Sequence, residues 1–327
     1  MKKFALVVVM LVLAVVAAAC GSAKTESNGA ASSPSTAPSA GASASAAPAV
    51  TELTIKHKLG ETKVKTNPKK VVVFDFGVLD SLDRLGIEVA GLPSGIPPYL
   101  EKYKDKKYVS TGSLKEVDFE KVNAMKPDLI IISGRLVDSY AELTKIAPTI
   151  YLGVDTAKYM ESYTENAKTL GQIFNKEKEV EAELAKVSAS IKALNEKVKA
   201  SGKNALIILA NEGNISAYGA GSRFGIIHDV LGFTPVDPAI EVSTHGKPIS
   251  SEYIVEKNPD YLFVVDRTAA VGGESSAKKI VENELVKGTK AFKEGHIVYL
   301  DPNYWYLSGG GLISVSEMVK EIETAIK

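Results

Sequence analysis

The sequence predicts an α/β fold built as two similar lobes joined by a long helix. Its first ground is an internal repeat. Lys126-Pro127-Asp128-Leu129-Ile130-Ile131-Ile132-Ser133-Gly134-Arg135 is echoed 132 residues later by Asn258-Pro259-Asp260-Tyr261-Leu262-Phe263-Val264-Val265-Asp266-Arg267. Each copy has a Pro-Asp start, an apolar run, and an arginine eight residues past the proline. A short apolar run bounded by turn residues suits a strand buried on both faces, as parallel sheets require. The second ground is that such runs alternate with segments of helical spacing in both halves, the pattern of a parallel α/β lobe. The third is Tyr159–Ala200, which reads as one or two long helices. It is lysine-rich from Lys176 to Lys199, carries Gly171 as the expected break, and lies between the two repeats as a stiff connector.

Taken in order, Met1–Ala19 begins with Lys2 and Lys3 and continues as an apolar run from Phe4. That run is too short for a spanning helix and reads as a signal peptide. Cys20 is the only cysteine, so no intrachain disulfide forms. Gly21–Val50 is almost entirely Ala, Ser, Gly, Pro and Thr. It cannot bury enough apolar surface to offset ordering, so residues 20–50 are expected to act as a flexible tether. Thr51–Lys327 leaves 277 residues, enough for one large or two ordinary domains. They divide into an N-terminal lobe (51–171), a connecting helix (172–202) and a C-terminal lobe (203–327). Without Lys2 and Lys3 the chain carries 37 basic and 39 acidic side chains, which gives no footing for nucleic acid.

Thr51–Thr66 alternates about Leu59-Gly60-Glu61 and predicts a β-hairpin. Val71–Phe74 predicts a buried strand, and Gly77–Leu85 a helix stopped by Gly86. Asp118–Met125 and Ser139–Ile146 are expected helices, and Leu129–Ile132 and Thr149–Leu152 expected strands. In the second half Ala205–Leu209 predicts a strand, Gly213–Gly225 a glycine-rich loop carrying Tyr218 and Arg223, and Ile226–Leu231 a helix stopped by Gly232. Leu85-Gly86-Ile87 and Leu231-Gly232-Phe233 lie 146 residues apart, so the halves share an order of elements with different loop lengths. Ser251–Lys257 and Lys278–Leu285 read as helices and His296–Leu300 as a strand. Tyr304-Trp305-Tyr306 with Gly309-Gly310-Gly311 reads as a loop, and Ile313–Ile326 as a closing amphipathic helix.

The chain uses 35 lysines and only four arginines. Arg135 and Arg267 follow repeat strands, at the carboxyl ends where open α/β sheets bind ligands, and Arg223 lies in the glycine-rich segment. A guanidinium is a planar fork of five donors suited to clustered anionic oxygens. Arg84, inside a helix beside Asp80 and Asp83, is of the ordinary kind. His245, in the polar loop Ser243-Thr244-His245-Gly246, and the aromatics Tyr304, Trp305 and Tyr306 are further candidates, since imidazole and phenolate both ligate iron. The sequence has no Gly-x-Ser-x-Gly, His-Glu-x-x-His or Gly-x-x-x-x-Gly-Lys pattern, and its glycine clusters lack dinucleotide spacing. A metal-dependent enzyme using His245 and nearby carboxylates would need a ligand pair at metal spacing, which is missing.

Val16-Ala17-Ala18-Ala19-Cys20-Gly21 resembles the lipobox of bacterial lipoproteins, which implies cleavage before Cys20 and a diacylglycerol on its sulfur. That start, Asn67-Pro68-Lys69-Lys70-Val71-Val72-Val73-Phe74, the long middle helix and both Pro-Asp strands together resemble the iron-siderophore/vitamin B12 substrate-binding proteins of ABC importers over Val50–Lys327, with 71–327 as the binding domain. Gly112-Ser113-Leu114-Lys115-Glu116, Arg223-Phe224-Gly225, Thr244-His245-Gly246 and Val265-Asp266-Arg267 are similar to the branch that binds petrobactin and related catecholate siderophores. The resemblance implies two Rossmann-like lobes joined by a rigid helix (the class III arrangement), ligand in the cleft between them, and only small lobe movement on binding. It implies a non-enzymatic monomer with no intrinsic cofactor, whose ligand is an Fe(III)-siderophore complex embraced by Arg135, Arg223 and Arg267. His245 and Tyr306, with Tyr304 as the fallback, would complete the coordination of a tetradentate ferric complex. Glu120 and Glu252, each seven residues before a repeat proline, would dock the lobes on the permease. The protein would sit on the outer face of the cytoplasmic membrane of a Gram-positive cell, anchored through Cys20. The same fold with a hydroxamate siderophore, haem or cobalamin as cargo is the alternative, and a structural surface lipoprotein the remotest one.

Overall fold

The computed structural model describes residues 51–273 and 277–326, which belong to one compact unit, Ala49–Lys327. The expected signal peptide, lipidated Cys20 and tether lie outside the described residues. The chain opens with an antiparallel hairpin, β1 (Glu52–His57) and β2 (Gly60–Lys65), as its alternation predicts. The N-terminal lobe follows with β3 (Val71–Val73), α1 (Phe76–Arg84), β4 (Gly91–Leu92), β5 (Val109–Ser110), α2 (Phe119–Met125), β6 (Leu129–Ile132), α3 (Tyr140–Leu143) and β7 (Thr149–Tyr151). Its five strands are all parallel, in the order β5-β4-β3-β6-β7. The order reverses between β3 and β6, so the loops leaving these two strands diverge and open a crevice at their carboxyl ends.

Helices α4 (Tyr159–Phe174) and α5 (Glu177–Ser201) form the connector. The break falls at Asn175, which takes the left-handed conformation at φ 53°, and not at Gly171. Gly171 is a buried packing position inside α4, where a Cβ would stand 3.2 Å from the backbone of Glu177 and from Val180. The glycine lets the start of α5 approach, and a nearby asparagine, which tolerates left-handed backbone, makes the corner.

The C-terminal lobe comprises β8 (Asn204–Asn211), β9 (Asn214–Tyr218), α6 (Ile226–Asp229), β10 (Thr234–Pro235), β11 (Lys247–Ile249), α7 (Ser251–Lys257), β12 (Tyr261–Asp266), α8 (Arg267–Ala270), α9 (Ala277–Val281), α10 (Lys290–Lys293), β13 (Ile297–Leu300) and α11 (Leu312–Ala325). Its sheet runs β11-β9-β8-β12-β13, with β10 beside the start of β8. Two loop expectations are corrected here. Gly213–Gly225 is not all loop, because Asn214–Tyr218 is β9, paired antiparallel with β8. The turn between them is Glu212-Gly213, both at positive φ, which is the two-residue hairpin geometry whose twist matches the strands. Likewise Tyr304–Tyr306 lies within a π-helical turn, Asn303–Ser308, rather than a loop.

The Pro-Asp repeat has the same mechanics in both lobes. Helices α2 and α7 end on left-handed residues, Lys126 (φ 49°) and Asn258 (φ 42°), and proline prevents continuation. The aspartate then ties the neighbouring strand's start. Asp128 Oδ2 accepts from the Lys69 and Lys70 N–H groups at 2.8 Å each, and Asp260 Oδ2 accepts from Asn204 N–H at 3.1 Å. All of β6 and β12 is buried, so each strand's apolar residues contribute roughly 1.5–3 kcal/mol apiece.

Helix α11 crosses back onto the first lobe, packing on α1 and α5. Its N-cap is Gly311, which has no side chain to satisfy the first N–H groups, and the fully buried Asp80 of α1 does so instead. Asp80 Oδ1 accepts from Ile313 N–H and Oδ2 from Ser314 N–H, both at 3.1 Å, while the Tyr99 hydroxyl donates to Oδ2 at 3.2 Å. A Cβ at Gly311 would collide with this carboxylate. Arg84 does not pair with its helix neighbours Asp80 and Asp83. It reaches across to Glu183 of α5 at 2.8 Å, a second tie between α1 and the connector.

Candidate functional site

Three guanidinium groups converge on one residue. Arg135 leaves the carboxyl end of β6, and Arg267 leaves that of β12. Arg223 stands in the segment between β9 and α6. Arg135 and Arg223 both donate through an Nη to the backbone carbonyl of Tyr306, at 3.0 and 3.1 Å, and Arg267 Nε donates to the Tyr306 hydroxyl at 2.9 Å. The Arg223 guanidinium also lies over the Tyr306 ring, 4.4 Å from its centroid. The Tyr306 carbonyl can receive two of them because it lies in the C-terminal half of the π-turn, where helical carbonyls lack intrahelical partners, and the phenol oxygen receives the third. Trp305 beside it is buried, and its indole N–H donates to Glu321 Oε2 at 2.7 Å, which fixes the turn against α11.

The arginines are half-buried cations without counter-ions among the described residues. Among the described residues the ion-paired arginine is Arg84, whereas Arg135, Arg223 and Arg267 bridge to no carboxylate. Arg267 Nη1 is instead held by the neutral Asn211 side chain at 2.6 Å. Burial pulls the Arg223 guanidinium below its ordinary range, with Arg135 adding to the pull and Tyr306 opposing it. For Tyr306, burial pushes the phenol up, but the hydrogen bond from Arg267 and the charges of Arg223, Arg267 and Arg135 outweigh it and bring it below the usual range. A multiply negative guest would relieve the repulsion among the three cations and supply the acceptors they lack.

The cleft between the lobes has two compartments separated by Arg135 and Tyr306. One, of about 580 Å³, is lined by Asp75, Ser133 and Arg135 from the first lobe and Arg223, Ser243 and Thr244 from the second. The other, also about 580 Å³, lies over the loops that follow β4 and β5. A further cavity of about 560 Å³ beneath the hairpin adjoins the first along Tyr151–Val154, but no arginine lines it.

Four of the five residues expected at the ligand are thus together: Arg135, Arg223, Arg267 and Tyr306. His245 is not with them; it is exposed, on the loop whose neighbours Ser243 and Thr244 face the cleft. Tyr304, the fallback, packs against Tyr99 with centroids 4.7 Å apart and the rings tilted by 49°, and no arginine bonds to it among the described residues. Glu120 and Glu252 occupy equivalent exposed positions in the first turns of α2 and α7. Sequence reasoning missed Asn211, the last residue of β8, and Asp75, two residues past β3. Asp75 caps α1 through Val78 N–H at 3.0 Å and receives the Ser133 hydroxyl at 2.6 Å. The available signal was a single polar residue closing each apolar run.

Comparison with known proteins gives consistent relatives. The sequence profile of a family described as periplasmic binding protein matches residues 71–304. The petrobactin-binding protein YclQ of Bacillus subtilis is 52% identical, with all of both chains covered. Its crystal structure superposes at a TM-score of 0.83, covering 85% of this chain and 99% of that one. The periplasmic catecholate-siderophore binding protein VctP of Vibrio cholerae is 41% identical at a TM-score of 0.80, covering 84% and 100%. The ferric-anguibactin-binding protein FatB of Vibrio anguillarum is 33% identical over 84% of this chain and 88% of its own.

Proposed function

Because the chain belongs to the periplasmic binding protein family, we propose that it captures a ferric catecholate siderophore of the petrobactin type outside the cell and hands it to the permease of an ABC importer. The observation that carries this reading is the set of three half-buried arginines, without counter-ions among the described residues, gathered from both lobes on Tyr306. A ferric catecholate is a compact polyanion that such a set recognises, whereas a neutral ferric hydroxamate would leave the three charges uncompensated. The names of YclQ and VctP point to the same ligand class. The protein works as a monomeric carrier without a resident cofactor, not as an enzyme, and is held at the membrane's outer face by lipid on Cys20.

Titrating the chain from Ala49 with ferric petrobactin, a ferric bis-catecholate and a ferric trihydroxamate tests the cargo, with quenching of the single Trp305 as the signal. Tight binding of the catecholates alone is expected. Binding of the hydroxamate alone, or of none, overturns the cargo while leaving the family intact, and haem and cobalamin then become the cargoes to try.

A tetradentate chelator leaves two iron positions vacant. The Tyr306 phenolate, favoured by its arginines, supplies one, and His245 the other once ligand draws the 242–246 loop inward. Tyr306→Phe and His245→Ala should then weaken tetradentate ferric complexes and spare hexadentate ones, as read by the phenolate-to-iron absorption band. Equal effects on both kinds would remove these residues from the coordination sphere.

Glu120 and Glu252 serve as the docking points, one per lobe, their placement mirrored by the repeat. Glu120→Ala together with Glu252→Ala should abolish iron uptake in cells while leaving siderophore affinity unchanged; uptake at the normal rate would refute the docking role.

A further inference from the structure

The turn that serves the arginine site is fastened from behind. Tyr306 offers one carbonyl to both Arg135 and Arg223, so the place of that oxygen sets the direction of two guanidinium planes. The first half of the turn hangs on Asp301, just past β13. The Asp301 carbonyl accepts from the Tyr304 and Trp305 N–H groups at 3.1 Å each. Its Oδ1 accepts from Asn303 N–H at 2.9 Å and from the Asn303 side-chain amide at 2.8 Å. Glu321 of α11 then holds this assembly at two points. Its Oε1 accepts from Asp301 N–H at 2.8 Å and its Oε2 from the Trp305 indole N–H at 2.7 Å. Both oxygens act as acceptors. A protonated carboxyl presents one O–H as a donor, and a donor facing an N–H makes no bond.

Glu321 also stands where a proton reaches it without passing the ligand. It is half-buried and lines a cavity of about 410 Å³ with Tyr299, Asp301, Tyr304, Glu317 and Lys320. Among the described residues, none that lines this cavity lines either compartment of the cleft. The groups facing Glu321 come from three elements. Tyr299 is on β13 and donates its hydroxyl to Glu282 at 3.0 Å, Asp301 and Tyr304 lie in the turn, and Glu317 and Lys320 of α11 pair with each other at 3.2 Å. Burial pushes the Glu321 carboxyl above its ordinary range, against the pull of its Trp305 and Asp301 donors, and the Asp301 and Glu317 carboxylates add to the rise.

We propose that Glu321 is a positioning residue for siderophore capture: its ionised carboxylate holds the turn so that the Tyr306 carbonyl keeps Arg135 and Arg223 set for the ligand, and proton uptake at Glu321 loosens the turn and weakens binding. The inference rests on the ferric-catecholate reading and deepens it, by making affinity respond to a group outside the cleft. Proton and ligand then oppose each other reciprocally, so the loaded protein holds a proton on Glu321 less tightly than the empty one.

Glu321→Gln keeps the size of the side chain and fixes an uncharged form at every pH. Ferric petrobactin is titrated into the unaltered chain and the variant, both from Ala49, at pH 7.5 and pH 5, by Trp305 quenching. Protonation of the ligand is common to both proteins and cancels in the ratio of their affinities. At pH 7.5 the variant should bind about fivefold or more weakly, and at pH 5 the two should agree within about twofold. Without ligand, the Trp305 emission of the unaltered chain should shift as pH falls from 7.5 to 5, and that of the variant should not. The emission curve of the unaltered chain decides by itself if the variant does not fold. An affinity ratio that is the same at both pH values, or an emission that stays constant in the unaltered chain or moves equally in both proteins, overturns the proposal while the arginine reading stands. If the unaltered chain does not bind ferric petrobactin at pH 7.5, the cargo reading falls and the proposal with it.

Discussion

Replacing Arg223 by alanine should weaken ferric-catecholate binding about ten- to hundredfold, with Arg135→Ala and Arg267→Ala next. Charge-assisted hydrogen bonds are worth about 1.5–3 kcal/mol each, and tenfold in affinity corresponds to about 1.4 kcal/mol. Arg223 should cost most because it is the arginine whose guanidinium burial disfavours, and because it stacks on both Phe224 and Tyr306. Lysine should not restore it, since one ammonium cannot lie flat on a ring while donating to the Tyr306 carbonyl and to the ligand. Removing any of the three relieves repulsion in the empty cleft, so thermal stability without ligand should hold or rise slightly. Quenching titrations with melting curves on the same variants check both halves. Unchanged affinity in all three variants would mean that the cluster is not the ligand site.

Asp80→Ala should lower stability by about 2–4 kcal/mol, combining a lost helix cap with buried N–H groups left unpaired. For a domain of this size that is on the order of 5–15 °C in melting temperature. The effect should depend on pH. Burial raises the Asp80 carboxyl to about 7, against the pull of its Ser314, Ile313 and Tyr99 donors. Between its unfolded pKa and about 7 the folded chain holds a proton that the unfolded chain has released, so stability falls as pH rises through this window. The variant lacks that slope. Its deficit should therefore be larger at pH 5 than at pH 8, and calorimetry at both pH values decides. A deficit that is the same at both pH values would show that Asp80 is ionised in the folded chain throughout this range.

The legible parts of this fold were those governed by local chemistry. The Pro-Asp repeats announced β6 and β12 because a proline, a left-handed helix end and a fully apolar run leave a plain record. The scarcity of arginine marked Arg135, Arg223 and Arg267, since lysine serves wherever only solubility is needed. What stayed hidden depends on partners distant in the chain. Strand β9 is only five residues long, lies in a glycine-flanked segment, and owes its place to the edge of β8. The π-turn at Tyr306 is held by Glu321 and the arginines rather than by its own propensity. The corner at Asn175 was misplaced to Gly171 because glycine is read as a breaker, whereas this one serves a close helix approach. Nothing within Asp80-Ser81-Leu82-Asp83 signals that the first aspartate is buried and the last exposed to Lys102.

The clasp between α1 and α11 also bears on the order in which the molecule can be completed. Asp80 and Ser314 are 234 positions apart, so α1 is synthesised, and emerges from any export channel, long before the helix that covers it. Until then its carboxylate has no helix terminus to cap, and its face is uncovered. The first lobe therefore cannot lock ahead of the second. Long-range closure of this kind slows folding, and it would keep the emerging chain pliable until nearly all of it has been synthesised. Pulse-labelled hydrogen exchange during refolding would reveal this as late protection of α1, in step with α11; early protection of α1 alone would contradict it.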